Sequence, residues 1–139
     1  MKHSKHLWTG LVMELAAFFL LVASVVLLWR NNALLFIVVV VECAIALRLW
    51  HGRLDVCFFL IIAVLGSLAE AVFVHVGVWH YANPTLLGIP LWFPLAFGTT
   101  GLIGRRLART ITAMWENVSP SPASKDQTGI LMPGLVPVF

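Results

Sequence analysis

Residues 7–29 read LWTGLVMELAAFFLLVASVVLLW, and Glu14 is the single charged side chain among them. A helix that is apolar all round has no face to offer water. The run also reaches the roughly 20 residues that a bilayer core demands. The preceding MKHSKH is basic, as in a secretory leader, but a leader's apolar region spans only about 7–15 residues and ends in a small-x-small cleavage site. The segment therefore reads as a retained first membrane helix.

Three further apolar runs follow, at 33–50, 56–79 and 86–104. Of the 139 residues, 60% are apolar and 11% charged, with a mean hydropathy of +0.96. Soluble domains run at about 45–50% and about 25%. The expected fold is an all-α membrane protein in which residues 1–116 form one four-helix transmembrane bundle. Residues 117–139 contain SPSPASKDQTG, with the composition of a flexible linker. The closing ILMPGLVPVF is too short and too proline-broken to span, so the tail is expected to be flexible.

With alternating spans, Lys2, Lys5, Arg48, Arg53, Arg105, Arg106 and Arg109 fall on one side, and Arg30 on the other. Positive residues stay cytoplasmic. This predicts both termini inside and a multi-pass protein of the cell (inner) membrane. The net charge of +3 and pI near 9.3 then reflect orientation, and no nucleic-acid partner is implied. Cys43 and Cys57 differ in depth by about 10 Å at 1.5 Å per residue, which rules out a disulfide between them. In the fourth run, Pro90 suits an opening turn, whereas Pro94 removes a bond inside the span, with Thr99 and Thr100 nearby to satisfy the freed groups. Ala63, Ser67 and Ala71, like Ala96, Thr100 and Gly104, recur every fourth residue, a spacing that lets helices three and four approach closely.

Glu14, Glu42 and Glu70 are the chemically expensive positions. A charged side chain at mid-membrane costs about 2.5–3.5 kcal/mol even on insertion scales. Glu42 and Glu70 lie near mid-helix, at depths that let them meet. Glu70 shares its face with Ala63, Gly66, Ser67, Phe73, Val74 and Gly77, a mostly small stripe suited to an interface or cavity wall. Buried carboxyls of this kind serve either as interhelical hydrogen-bonding glue or as acids that keep a proton until a substrate takes it. His75 has no paired histidine or Glu-x-x-His companion, so no metal and no cofactor is expected.

The stretch 68–98, LAEAVFVHVGVWHYANPTLLGIPLWFPLAFG, resembles carotenoid-biosynthesis integral membrane proteins of the bisanhydrobacterioruberin hydratase type. Glu70, Gly77, Trp79, Tyr81, Gly88 and Pro90 fall in that family's order of membrane acid, glycine, aromatic-x-Tyr turn and Gly-x-Pro. The resemblance implies an isoprenoid ligand and protonation of a C=C bond. Glu70 is then the catalytic acid; Trp79, Tyr81 and Trp92 line the outer mouth, Phe73 and Phe93 lie deeper, and Glu42 joins the binding site from helix two. Aromatic faces would stabilise the resulting cation. Partners are the lipid bilayer and a hydrophobic small molecule. The alternatives are a small proton-coupled transporter using Glu14, and an accessory subunit docking on a second copy or a larger membrane protein.

Overall fold

The computed structural model describes residues 2–118, and the side chains of 5–117; of the tail expected at 117–139, the first two residues belong to the last helix and the rest lies outside the described residues. The described chain consists of four α-helices: α1 Lys2–Leu28, α2 Asn32–Leu49, α3 Arg53–His75 and α4 Phe93–Val118. Three of them, over Lys5–Leu28, Asn32–Leu49 and Arg53–His75, are long and apolar enough to cross a membrane. Their outer surfaces are apolar, with Phe19 64% and Leu27 77% exposed. Polar groups including Glu14, Ser24, Asp55, Glu70, Thr99 and Thr110 are buried instead. An apolar exterior of this extent is matched by lipid, not by water.

The fourth helix is the hub. α3 packs on α4, α1 packs on both α4 and α2, and α2 also touches α4. Glu14 in the middle of α1 meets Thr110 in the second half of α4, and Asp55 in the first turn of α3 meets Arg105 and Arg106 in the same half. Both pairs are those of antiparallel neighbours. They gather Asp55, Arg105, Arg106 and Arg109 at one end of the bundle, with Trp29 and Trp92 at the other.

Helix three ends earlier than its apolar run, which continues to Trp79. Gly77 takes φ +80°, Val78 N–H donates to Phe73 O at 2.9 Å, and Gly77 N–H donates to Val74 O at 3.1 Å. Those two bonds and a left-handed glycine are a Schellman cap. Gly77 is thus required by helix termination. A Cβ there would touch nothing within 4 Å, so it is not part of a packing stripe.

Helix four begins later than expected, at Phe93 rather than Leu86. Leu86 and Ile89 exchange backbone hydrogen bonds of 3.0 and 2.9 Å across Leu87 (φ 52°) and Gly88 (φ 81°). Two left-handed central residues make a type I′ turn. Pro90 therefore precedes the helix instead of opening it, and Pro94 sits in the first turn. The first four N–H groups of a helix have no intrahelical partner, so Pro94 costs no bond. Thr99 and Thr100 donate to Leu95 O and Ala96 O in their own helix, at 2.8 and 2.9 Å, and do not serve a proline break.

The α3–α4 contact is close, but on α4 the small residues at the seam are Gly98 and Gly101 rather than Ala96, Thr100 and Gly104. A Cβ at Gly66 would collide with the Phe97 ring. A Cβ at Gly98 would lie 2.8 Å from the Phe59 ring, and one at Gly101 2.6 Å from Ile62. Ala96 is buried on the opposite side, in a cluster with Leu21, Leu35 and Val39 of α1 and α2.

Candidate functional site

The three glutamates occupy three separate environments, and Glu42 and Glu70 do not meet. Glu14 lines a cavity together with Trp50 at the end of α2 and Arg106, whose partner Asp55 opens α3. It therefore lies toward the basic end of the bundle. From Arg106 to Val118, α4 runs on for roughly 18 Å at 1.5 Å per residue. Glu70 stands in the last two turns of α3, at the opposite end. Glu14 and Glu42 lie about midway along their helices by residue count, and Glu70 does not.

Glu70 is 9% exposed, and its Oε1 accepts two ring donors from the following loop. Trp79 Nε1 donates at 2.7 Å, and the Tyr81 hydroxyl donates to the same oxygen. The Gly77 cap makes this possible, because it turns the chain back toward the helix it has just left. Phe73 stands 5.3 Å from the Trp79 ring, and Phe93 5.8 Å from Tyr81, centroid to centroid. Phe93 stacks in turn on Phe97 at 4.6 Å. Five of the seven expected site residues are thus one connected group: Glu70, Phe73, Trp79, Tyr81 and Phe93.

Trp92 neighbours Phe93 at 6.0 Å, but its Nε1 donates to Asn32 Oδ1 at 3.0 Å. Asn32 Nδ2 donates to Asn83 O at 2.8 Å, and Asn83 Nδ2 to Trp29 O at 3.2 Å. The loop is thereby tied to the α1–α2 turn. Asn32 and Asn83 escaped the sequence reading, since an Asn at a helix start or in a loop has no periodicity to mark it.

Burial of Tyr81, then its hydrogen bond to Glu70 and that group's charge, push the phenol well above its ordinary value. Tyr81 is the chain's sole tyrosine, so phenolate absorbance reports it alone. A folded-state value above the unfolded one adds stability that is complete below about pH 10, and that is lost as pH rises through the folded value. The phenolate should appear only above the ordinary pH, and Glu70→Gln should bring it partway back while burial still holds it up. A wild-type titration at the ordinary value would contradict the contact.

Glu42 belongs to a different place. Its Oε1 accepts from Ser24 of α1 at 2.6 Å, while Oε2 is buried without a partner. It lines an apolar cavity of about 260 Å³ between α1, α2 and α4, walled by Leu20, Ala46, Trp50 and Ile103 and with Thr99 on its α4 side. Ligand pockets start at about 300 Å³, so the space suits a short apolar segment. The helix α4 stands between this cavity and α3.

At the basic end, Asp55 is 1% exposed and bonds both Arg105 and Arg106, the latter at 2.9 Å. Its signal in the sequence was available, as the sole acid at the start of an apolar run. Among the described residues, no three His, Cys, Asp or Glu side chains gather as metal ligands. Cys43 is buried and Cys57 exposed, both free. No family model matches the chain, and neither the curated proteins nor the solved structures contain a match to it.

Proposed function

We propose that this chain is a four-span protein of the cell (inner) membrane, with both termini cytoplasmic, that binds a lipid or isoprenoid segment in the α1–α2–α4 cavity. The observation that carries the reading is Glu42 Oε2, buried and unpartnered in an otherwise apolar cavity. A buried polar atom left unmet costs about 1–3 kcal/mol, and a ligand hydroxyl would remove that cost. The clustering of Arg105, Arg106 and Arg109 at one end supports the orientation. The resemblance of residues 68–98 to carotenoid hydratases supports an isoprenoid as the ligand that would meet Glu70.

Glu70 carries a second reading, as proton donor to an apolar ligand seated against its own aromatic group and not in the α1–α2–α4 cavity. Both ring donors fall on Oε1, and Oε2 has no partner among the described residues. The aromatic group of Trp79, Tyr81, Phe73 and Phe93 would face the cation formed.

Mass spectrometry of what co-purifies in mild detergent tests both. Wild-type protein should retain a lipid, polyprenyl or carotenoid-like species, and Glu42→Gln about tenfold less, the weight of one hydrogen bond near 1.4 kcal/mol. Equal retention by the two, or no apolar species in either, overturns the cavity reading. Glu70→Gln should keep the ligand but abolish its hydration or isomerisation; undiminished conversion removes Glu70 as the acid.

A further inference from the structure

The cavity at the basic end has a volume of about 380 Å³ and is lined by His6, Met13, Glu14, Trp50, Arg106 and Arg109 among others. Glu14 is 3% exposed; its Oε1 accepts from Thr110 at 3.0 Å, and its Oε2 is buried without a partner. Arg106 holds Asp55 through one terminal nitrogen and lies over the Trp50 ring, yet its Nε is also buried and unpartnered. Acid and arginines face one cavity without closing an ion pair, since both ion pairs among the described residues belong to Asp55. A gap flanked by an orphaned acceptor and an orphaned cationic donor fits a ligand carrying one group of each sign.

Met13 and Trp50 also line the apolar cavity that holds Glu42, so the polar and apolar chambers share a wall. The polar chamber is level with the α2–α3 turn, and the apolar one extends inward from it. Such a polar-then-apolar order is that of a phospholipid seated in one leaflet.

We propose that the two chambers form one site for a phosphoethanolamine phospholipid. The ammonium meets Glu14 Oε2, the phosphate lies between Arg106 Nε and Arg109, and one acyl chain passes Met13 and Trp50 into the apolar cavity. The proposal deepens, and rests on, the reading of that cavity as a site for an apolar chain. Headgroup chemistry makes the choice. A choline ammonium has no N–H to donate to Glu14, and a glycerol headgroup brings no positive charge to it. Of these three headgroups, ethanolamine alone brings an N–H donor to Oε2 together with a phosphate for Arg106.

The test is binding to the full chain in detergent, by native mass spectrometry, of phosphatidylethanolamine, phosphatidylcholine and phosphatidylglycerol with identical acyl chains. Tail-free glycerophosphoethanolamine is the fourth ligand. Phosphatidylethanolamine should bind about tenfold tighter than the other two lipids, as one charge-assisted hydrogen bond would give. Glu14→Gln should erase that preference, and Arg109→Gln should weaken all three lipids alike. Equal affinity for the three lipids, or a preference that survives Glu14→Gln, overturns the headgroup assignment even if chain-dependent binding persists. Tail-free ligand binding as tightly as the lipid overturns the joined site by taking the chain out of the apolar cavity.

Discussion

Asp55→Ala should lower the stability of the bundle by about 3 kcal/mol, the lower end of the range for breaking a buried pair. Asp55 accepts from Arg105 and Arg106, and its side chain is nearly fully buried while theirs are partly exposed. Removing it leaves two guanidinium groups facing each other at the start of α3. Their partial exposure lets water take up some of the charge, which is why the lower end applies. The loss also removes a negative charge from the positive end of the α3 dipole. Unfolding in mixed detergent micelles measures the change. Replacing Asp55, Arg105 and Arg106 together by leucine should cost far less than Asp55→Ala, because no uncompensated charge remains. A loss under about 1 kcal/mol for Asp55→Ala would contradict a buried pair and place it among exposed ones.

Gly98→Ala and Gly104→Ala should shift stability in opposite directions. Glycine inside a helix is less favourable than alanine by about 0.8–1 kcal/mol, so either substitution gains that much locally. At Gly104 a Cβ meets nothing within 4 Å, and the gain stands. At Gly98 the Cβ would lie 2.8 Å from the Phe59 ring and 2.9 Å from Phe59 O. A ring can rotate, but a backbone carbonyl moves only if α3 moves. Overpacking of this kind costs about 1–3 kcal/mol, so Gly98→Ala should be destabilising by about 1 kcal/mol net and Gly98→Leu by considerably more. The same micelle titration reads both, and two shifts of equal sign would show that the α3–α4 seam is not where these glycines put it.

Much of the fold was legible along the chain. Four helices, their order, and the crowding of arginines at one end follow from apolar runs and charge alone. The loop between α3 and α4 was legible only in part. Trp79 and Tyr81 converge on Glu70 through a turn that hydropathy does not mark. The helix ends were misplaced because apolarity continues through Val76, Val78, Leu86 and Leu87 after the helix has stopped. Gly77 and Gly88 ended those elements by backbone conformation, which hydropathy does not register. The seam on α4 was misread by one face, since Ala96, Thr100 and Gly104 share the spacing of Phe97 and Gly101 and only packing chooses between them.

The sequence by itself determined that the helices are apolar outward and that acids must be buried among them, because lipid-length runs leave charged side chains nowhere else to go. It also determined which residues share a face on any one helix, since 3.6 residues per turn is a local property. Tertiary structure alone decided which acid faces what. Glu14 found Thr110, ninety-six positions away, Glu42 found Ser24, and Glu70 found two rings of its own loop. The physical reason is the place of α4. Small residues at Gly98 and Gly101 let it sit against α3 on one side, and Ala96 lets it sit against α1 and α2 on the other. That central helix sets Glu70 apart from Glu14 and Glu42, a separation that no periodicity within a single helix encodes.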